Sequence, residues 1–308
     1  QIPAFGSRPG ATTSGRARRH KKTHQKDPFM TSFSEIPDLD GEQFQRFARL
    51  IHEKAHIHLK DHKITLLSNR LRKRLRALKL ASYDDYFRYI NDEATAKQEM
   101  VHFLEAVTTN ESYFWRTTQN FEALKKHVLP ELVKAYRGSR LKFWSAGCST
   151  GEEPYNLAIE IVESMKSLGH FEWELLGSDI SNRVVDFARA GIYSGRKIER
   201  IPENILRRYF RKLDDQDAYQ VRQDLREKIK FDTENLFEAN HPGQHCIFCR
   251  NVMIYFNRQD QEKLVNRFYD MLVDGGYLFI GHAESLQMLD TGFKTRPTEE
   301  GVLYQKQS

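Results

Sequence analysis

The chain has little cysteine and no long hydrophobic run. Its 308 residues include only Cys148, Cys246 and Cys249, an odd and sparse set that does not indicate a disulfide framework. No run of about eighteen apolar residues occurs, so no membrane-spanning helix is predicted. The N-terminus as given has no apolar segment typical of a secretory signal. We therefore expect a reducing compartment, with the cytoplasm as the default location.

Acidic residues are missing from the first 26 positions. This segment holds seven bases: Arg8, Arg16, Arg18, Arg19, Lys21, Lys22 and Lys26. Without them the chain has 41 basic and 42 acidic residues, so the net charge of +6 belongs to this segment. A basic arm could bind nucleic acid or acidic lipid. Its Gly, Ser and Thr content, with few apolar residues, favours a disordered tail over residues 1–30.

Helical patterns without any strand pattern fill residues 31–105. Apolar side chains recur there at helical spacing, which is typical of helices with one buried face. The clearest stripe comprises Leu66, Leu67, Leu71, Leu75 and Leu78. We predict an all-helical N-terminal domain, followed by a linker over residues 106–120.

Short apolar strands alternate with helical patterns from residue 121 to residue 308. The predicted strands lie at 141–144, 173–176, 246–248 and 277–280, and the helices at 121–136, 154–167, 182–190 and 259–273. This alternation predicts an α/β domain with a doubly wound sheet. Nearly continuous apolar strands fit a sheet covered by helices on both faces. Residues 192–230 break the alternation and predict a small inserted β-subdomain.

A glycine-bearing turn follows the first predicted strand. Gly147 and Gly151 allow a tight turn and a close approach to a ligand. Pro154 suits the first position of the helix that follows. The turn lacks both the GxGxxG pattern of dinucleotide sites and the GxxxxGK[ST] pattern of triphosphate sites. The sequence therefore points to another ligand.

Carboxylates narrow the choice of that ligand. Glu152 and Glu153 begin the helix, where they would repel a phosphate but suit a cation. S-adenosylmethionine has an ammonium, a sulfonium and ribose hydroxyls. Asp179, at the end of the second predicted strand, is the expected acceptor for the ribose.

Six segments resemble one family, the chemotaxis receptor methyltransferases called CheR. They are residues 108–116, 144–155, 177–180, 234–236, 247–256 and 275–285, and they occur in the family's order. The run Cys249-Arg250-Asn251-Val252-Met253-Ile254-Tyr255-Phe256 is the most specific of them. The helical segment before them stands where the family has its N-terminal domain.

The resemblance implies a Rossmann-like, S-adenosylmethionine-dependent methyltransferase. It would transfer a methyl group to glutamate side chains of chemotaxis receptors, giving glutamate methyl esters and S-adenosylhomocysteine. The residues implied at the cofactor are Asn110, Ser112, Arg116, Glu153, Asp179, Asn235, Leu236, Arg250 and Asn251. Glu153 would contact the methionine ammonium, and Asn235 with Leu236 the adenine. Ser112 stands where the family usually has Thr, so the hydroxyl is retained.

Arg116 and Tyr255 are the catalytic residues that the resemblance implies. A glutamate carboxylate is already ionised at neutral pH, so the reaction needs no general base. Alignment and removal of water should then dominate. Arg116 would hold one carboxylate oxygen, and Tyr255 would orient the methyl group or the carboxylate. The alternatives are an ion pair between domains for Arg116 and a packed core aromatic for Tyr255.

A basic face is predicted to dock the receptor. Residues 63–80 contain no acid, and the outer face of the helix would carry Arg70, Arg72, Lys73, Arg74 and Arg76. Opposite charge would steer it to the glutamate-rich helices of receptors and recruit the enzyme to membrane receptor arrays. A merely solvated face is the alternative. Some relatives hold a C-terminal receptor peptide on a glycine-containing turn of the subdomain; residues 211–219 have no glycine, so we expect no such tether.

Two further motifs suggest metal or redox sites, and two alternative functions have to be weighed. His52-Glu53-Lys54-Ala55-His56 matches HExxH, but no companion ligand is evident, so we predict surface histidines and no metal. Cys246 and Cys249 lie three apart in a predicted strand and would point to opposite faces. A nucleic-acid methyltransferase would fit the basic segments, yet no stacking pocket is identifiable, so we expect no nucleic-acid partner. A non-catalytic module that senses S-adenosylmethionine is the other alternative.

Overall fold

Four helices open the part of the chain that the structure describes. The structure is a computed structural model, and it describes residues 36–214 and 217–307. The predicted basic tail lies outside these residues. The helices are α1 (Gly41–Ala55), α2 (Ile64–Leu78), α3 (Tyr83–Asn91) and α4 (Ala96–Val107). Their buried faces meet around Phe47, Leu71, Tyr86 and Phe103, all fully buried. The prediction of an all-helical N-terminal domain is confirmed.

The remaining elements alternate as predicted, with several additions. They are α5 (Thr118–Ala123), α6 (Leu129–Ala135), β1 (Leu141–Ala146), α7 (Glu152–Leu168), β2 (Trp173–Asp179), α8 (Asn182–Ala190), β3 (Ile192–Ser194), α9 (Glu203–Tyr209), β4 (Phe210–Leu213), β5 (Ala218–Val221), α10 (Gln223–Arg226), β6 (Ile229–Thr233), β7 (Gln244–Cys249), α11 (Arg258–Met271), β8 (Leu272–Ile280), β9 (Lys294–Thr298) and β10 (Gly301–Gln305). A π-helical turn joins α5 to α6.

Seven strands form the main sheet in the order β6-β2-β1-β7-β8-β10-β9. The first five are parallel, and β10 runs antiparallel to both β8 and β9. Both faces are covered: Phe143 belongs to one core cluster and its neighbour Trp144 to the other. The doubly wound α/β prediction is confirmed. The strand order reverses between β1 and β7, and ligands of such sheets bind at the carboxyl ends there.

The insertion is smaller than predicted. Its antiparallel sheet, in the order β3-β5-β4, ends at Val221. The segment near residue 230 is β6, which pairs with β2 at the edge of the main sheet. The connection from β4 to β5 includes residues 215 and 216, which are not described, so the absence of a peptide tether stays a prediction.

Two further differences concern local signals. Strands β9 and β10 were not predicted, because β9 is largely exposed and contains Pro297, and β10 buries only Leu303 and Tyr304. Pro154 occupies the third position of α7 instead of the first, since the helix begins at Glu152. Within the described residues, no helix combines the length and apolarity needed to cross a bilayer.

Candidate functional site

A cavity of about 560 Å³ lies where β1 and β7 end. The linker after α4 and the connection between α1 and α2 also line it. Every predicted site residue lines this one cavity: Asn110, Ser112, Arg116, Glu153, Asp179, Asn235, Leu236, Arg250, Asn251 and Tyr255. The structure thus brings them together, and the individual roles stay predictions.

The turn after β1 depends on two glycines with positive φ. A Cβ atom on Gly147 (φ +80°) would stand 2.5 Å from a methyl carbon of Val252, and one on Gly151 (φ +91°) 2.6 Å from the Cβ of Ala188. The close approach is therefore to the protein itself. Only Gly147 also lines the cavity. These contacts hold the turn between the loop after β7 and helix α8.

Asp179 fixes the end of β2 against this turn. Its carboxylate accepts hydrogen bonds from the backbone N–H of Ser149 (2.9 Å) and of Ser181 (3.1 Å). Burial raises the pKa of Asp179, while these backbone bonds act against the rise. Each oxygen keeps a second lone pair, so the group can still accept a hydroxyl of a ribose.

A buried ion pair connects α7 to the end of β7. Nη1 of Arg250 lies 3.0 Å from Oε2 of Glu153, and the arginine side chain is only 2% exposed. Oε1 of Glu153 accepts from the Ser145 hydroxyl at 2.8 Å. Arg250 also donates to the backbone carbonyl of Arg116. These bonds join the predicted cofactor residues from three segments into one rigid group.

Glu152 does not face the cavity with its neighbour. Its carboxylate is fully buried, bonds to the Thr150 hydroxyl, and forms a salt bridge with Lys197. Lys197 follows β3 and belongs to the insertion. The interpretation of Glu152 as a second acid for a cationic ligand is therefore wrong, because its charge is neutralised by a residue distant in sequence.

Two buried amide atoms offer bonds to a ligand. Oδ1 of Asn251 and Nδ2 of Asn156 have no hydrogen-bond partner among the described residues, and both side chains line the cavity. One is an acceptor and the other a donor, which fits the ammonium and carboxylate of an amino-acid ligand such as the methionyl end of S-adenosylmethionine. Sequence reasoning missed Asn156. Its place three residues after Glu153, on the same helix face, could have revealed it.

Asn251 has an uncommon backbone conformation that Glu284 supports. Its φ is +60°, uncommon for a residue with a side chain. The Glu284 carboxylate accepts from the N–H of Asn251 at 2.9 Å and from the N–H of Gly281. Glu284 thereby ties the loop after β7 to the end of β8.

Arg116 and Tyr255 line the cavity without ionic or hydroxyl partners. Arg116 lies between Trp115 and Thr117, both at φ +56°, and donates to the carbonyl of Glu111 at 3.1 Å. In the described part of the chain it forms no salt bridge, which disfavours an ion pair between domains. The Tyr255 hydroxyl has no described hydrogen bond, and its side chain is half-buried. Both functional groups are therefore available to a ligand.

Backbone contacts join the helical domain to this site. The N–H of His58 donates to the carbonyl of Tyr255 at 2.8 Å, and Ile57 forms a β-bridge with Phe256. Nδ2 of Asn235 donates to the carbonyl of Lys54 at 3.2 Å. One edge of the cavity is thus closed by bonds between the two domains.

The structure contradicts most of the predicted basic face, because three of its five residues are held by partners within the protein. Arg74 forms two hydrogen bonds, 2.7 and 2.8 Å, with the buried carboxylate of Glu99. Arg72 forms a salt bridge with Asp38. Arg70 turns to the linker, where it donates to the Thr109 hydroxyl at 2.7 Å. These partners come from outside residues 63–80, so the lack of acids in that stretch could not reveal them.

Other bases occupy the exposed part of the cavity lining. Lys73 and Arg76 stay exposed on α2. Lys60 and Lys63 are exposed and line the cavity itself, together with Leu66, which is 42% exposed. The inner lining carries Asp179, Glu153 and their one basic neighbour Arg250, whereas the exposed lining carries Lys60, Lys63 and one acid, Glu111.

The prediction for the cysteine pair is confirmed, whereas the histidine motif has a companion ligand that was not evident in the sequence. Cys246 and Cys249 are buried free thiols in different core clusters on opposite faces of the sheet. His52 and His56, however, are not isolated, because both contact Asp260. Glu53, the general base that a zinc protease would need, is 66% exposed and paired with Lys54.

Comparison with known proteins identifies both parts of the chain. The family described as CheR methyltransferase, SAM binding domain, matches residues 110–302, and the CheR methyltransferase, all-alpha domain, matches residues 42–108. The chemotaxis protein methyltransferase of Salmonella typhimurium is 37% identical over 265 residues, covering 84% of this chain and 88% of that protein.

Two further relatives agree over a similar length. Chemotaxis protein methyltransferase 2 of Vibrio cholerae is 32% identical over 88% of this chain and 94% of its own. The Escherichia coli chemotaxis protein methyltransferase is 34% identical over 84% of this chain and 89% of its own. The cofactor is S-adenosylmethionine, which the family match names and which the two amide atoms without partners, in Asn156 and Asn251, fit. The chain belongs to the CheR family of S-adenosylmethionine-dependent methyltransferases.

Proposed function

We propose that this protein methylates glutamate side-chain carboxylates of chemotaxis receptors in the cytoplasm, as a protein-glutamate O-methyltransferase. The observation that carries the proposal is the distribution of charge in the cavity. The inner lining carries Asp179 and Glu153 against one base, Arg250, which leaves a net negative charge that suits the cationic cofactor. The exposed lining carries Lys60 and Lys63 against one acid, Glu111, which leaves a net positive charge that suits an anionic substrate. The relatives named above are chemotaxis protein methyltransferases, which supports a receptor as the substrate.

The cofactor supplies an electrophilic methyl group: a carboxylate oxygen bonds to the methyl carbon while the carbon–sulfur bond breaks, and the electron pair stays on sulfur. No proton moves in this step, so the protein needs no general base. Glu153 and Asn251 would hold the ammonium, and Asp179 the ribose. Arg116 would bind one carboxylate oxygen of the substrate, which aims the other oxygen.

Variants of Arg116 can separate its effect on catalysis from any effect on folding. Arg116→Ala should lower kcat for methyl transfer by at least about tenfold, because one charge-assisted hydrogen bond of about 1.5–3 kcal/mol is lost. Arg116→Lys should recover little of it, since lysine lacks the planar pair of donors. Arg196, an exposed base of the insertion, provides the matched control. Unchanged turnover with unchanged cofactor affinity in Arg116→Ala would contradict this role.

The substrate class is tested by the chemistry of the product. Receptor-containing membranes are incubated with the protein and methyl-labelled S-adenosylmethionine, and the washed material is then treated with mild alkali. Methyl esters of carboxylates hydrolyse and release volatile methanol, which is the expected result. Label that stays on protein or nucleic acid would overturn the substrate and favour a nucleic-acid or N-methyltransferase. Cofactor binding without any transfer would favour a sensing module.

We also propose that the exposed bases dock the receptor and recruit the enzyme to membrane receptor arrays. Lys60 and Lys63 are exposed and line the cavity, and Lys73 and Arg76 are exposed further along α2. Methylation should therefore slow as salt is raised, because screening weakens attraction to glutamate-rich helices. Lys63→Ala should reduce kcat/KM at low salt without changing kcat. Equal salt dependence in the variant would contradict the docking.

A further inference from the structure

Three potential metal ligands meet where the helical domain contacts α11. Nε2 of His52 lies 2.8 Å from Oδ2 of Asp260, and Nδ1 of His56 lies 2.9 Å from Oδ1 of the same carboxylate. The three ligand atoms fall within 4.8 Å of one another. Two imidazole nitrogens and one carboxylate oxygen are a donor set that zinc-class ions prefer.

The backbone brings the two histidines to one point. His52 is in the last turn of α1, and His56 is the residue that ends the helix, with φ +58°. The N–H of His56 donates to the carbonyl of His52 at 2.8 Å. The His56 ring is further held by stacking on Phe237, with ring centroids 3.7 Å apart. The His56 ring therefore has little freedom to turn away from Asp260.

Asp260 is equally well positioned. It is 9% exposed and lies in the first turn of α11. Oδ1 of Asn257, which caps this helix, accepts from the N–H of Asp260 at 2.9 Å. That bond leaves Nδ2 of Asn257 facing the cluster, 2.7 Å from Oδ2 of Asp260. A hydrogen bond of this kind orients a carboxylate for metal binding.

The Asp260 carboxylate is the centre that the other groups of the cluster share. Oδ2 accepts from Nδ2 of Asn257, and also from Nε2 of His52 when that nitrogen carries a proton. Nδ2 of Asn257 lies 3.2 Å from Nε2 of His52, because both nitrogens point at this oxygen. A divalent ion would take the place of the proton between each imidazole nitrogen and the carboxylate.

We propose that His52, His56 and Asp260 bind one zinc-class divalent ion, with water completing a four-coordinate site. In such a site the bonds are about 2.0–2.1 Å and neighbouring ligand atoms are about 3.3 Å apart, so the side chains need to shift by less than about 1 Å. The side chains are 43%, 21% and 12% exposed, which gives an ion and water access. The ion would pin α1 to α11 beside Phe237, which lines the cofactor cavity. It would be structural, since Glu53 points away.

The test uses the full chain, stripped with a chelator and desalted. Zn²⁺ is titrated in competition with a chromophoric chelator, and Co²⁺ is added in parallel to record its visible absorption. The wild type should bind one equivalent tightly and give the intense Co²⁺ bands of a low-coordinate site. His56→Gln and Asp260→Asn should weaken Zn²⁺ binding by at least about 100-fold and lose those bands.

His170→Gln is the matched control. His170 pairs with Glu172 at 3.0 Å but has no third ligand and is 78% exposed, so its replacement should leave binding unchanged. Because a change at His56 also removes a stacked ring, His52→Gln provides a second variant at the most exposed ligand. Zn²⁺ should raise the Tm of the wild type and of His170→Gln, but not of His52→Gln.

Two outcomes would overturn the site. Wild-type Zn²⁺ affinity no higher than that of His56→Gln would mean that the cluster is held by hydrogen bonds alone. Intense Co²⁺ bands that survive both His52→Gln and Asp260→Asn would place the ion elsewhere among the twelve histidines of the chain.

Discussion

The two walls of the cofactor cavity differ in whether their charged side chains have partners within the protein. On the sheet wall, the buried Arg250 pairs with Glu153, whose side chain is 15% exposed, and Asp179 is held by backbone N–H groups. On the helical wall, Lys60 and Lys63 are exposed to solvent. A buried charge must be fixed by partners, whereas an exposed one is free to meet a new partner. The sheet wall is therefore preorganised for the cofactor, and the helical wall remains open to a substrate.

The largest expected effect comes from breaking the buried pair. Arg250→Met should lower the free energy of unfolding by about 3–5 kcal/mol, because the Glu153 carboxylate stays buried without its partner. Urea denaturation of the cofactor-free protein measures this. Adding Glu153→Gln should restore part of the loss. An additive double variant would mean that the two side chains do not interact.

The second expected effect compares a paired arginine of α2 with an exposed one. Arg74→Met should cost about 3 kcal/mol, since Glu99 is 3% exposed and keeps only the Tyr86 hydroxyl as a side-chain partner. Arg76→Met, two residues further on and exposed, should stay within about 0.5 kcal/mol. The same denaturation experiment compares them. Equal costs would contradict the division of this helix into a pairing and a docking face.

The third effect concerns the turn that holds the sheet wall. Gly151→Ala should cost about 2 kcal/mol more than Gly169→Ala, although both glycines have positive φ. A Cβ at Gly151 meets Ala188 and the Tyr193 hydroxyl, whereas at Gly169 nothing lies within 4 Å. Gly151→Ala should also weaken cofactor binding in calorimetry. Gly169→Ala should not, because it ends α7 away from the cavity.

The smallest expected effect is a pH dependence of protein stability that arises from His245 in the sheet. Burial, with Lys142 nearby, lowers the pKa of His245 to about 4, and its Nδ1 accepts from the Lys142 N–H at 3.1 Å. Between about pH 6.5 and pH 4 the unfolded chain therefore binds more protons than the folded protein, so the free energy of unfolding decreases as the pH is lowered through this range. We expect a loss of about 2 kcal/mol from pH 7 to pH 5. His245→Gln should make the stability less dependent on pH, whereas His170→Gln, at an exposed histidine, should leave this dependence unchanged.

Local geometry was predictable from the sequence, and long-range pairing was not. The strand, glycine turn and helix at 141–168 follow from short-range rules, and so does the apolar stripe of α2. All ten site residues that the family resemblance implied line the cavity, whereas Asn156 was missed. In contrast, Lys197 for Glu152, Glu99 for Arg74 and Asp260 for the two histidines lie 25 to 208 residues away in sequence. Only the fold brings such partners together.

The β-bridge between Ile57 and Phe256, with the bond from His58 to Tyr255, has a kinetic consequence. These bonds close one edge of the cavity, and we expect both ligands to enter through the exposed part of the lining near Lys60, Lys63 and Leu66. A cofactor seated in the buried lining cannot pass a receptor helix bound at that opening. Association should then be ordered, with S-adenosylmethionine entering before the receptor and the methylated receptor leaving before S-adenosylhomocysteine.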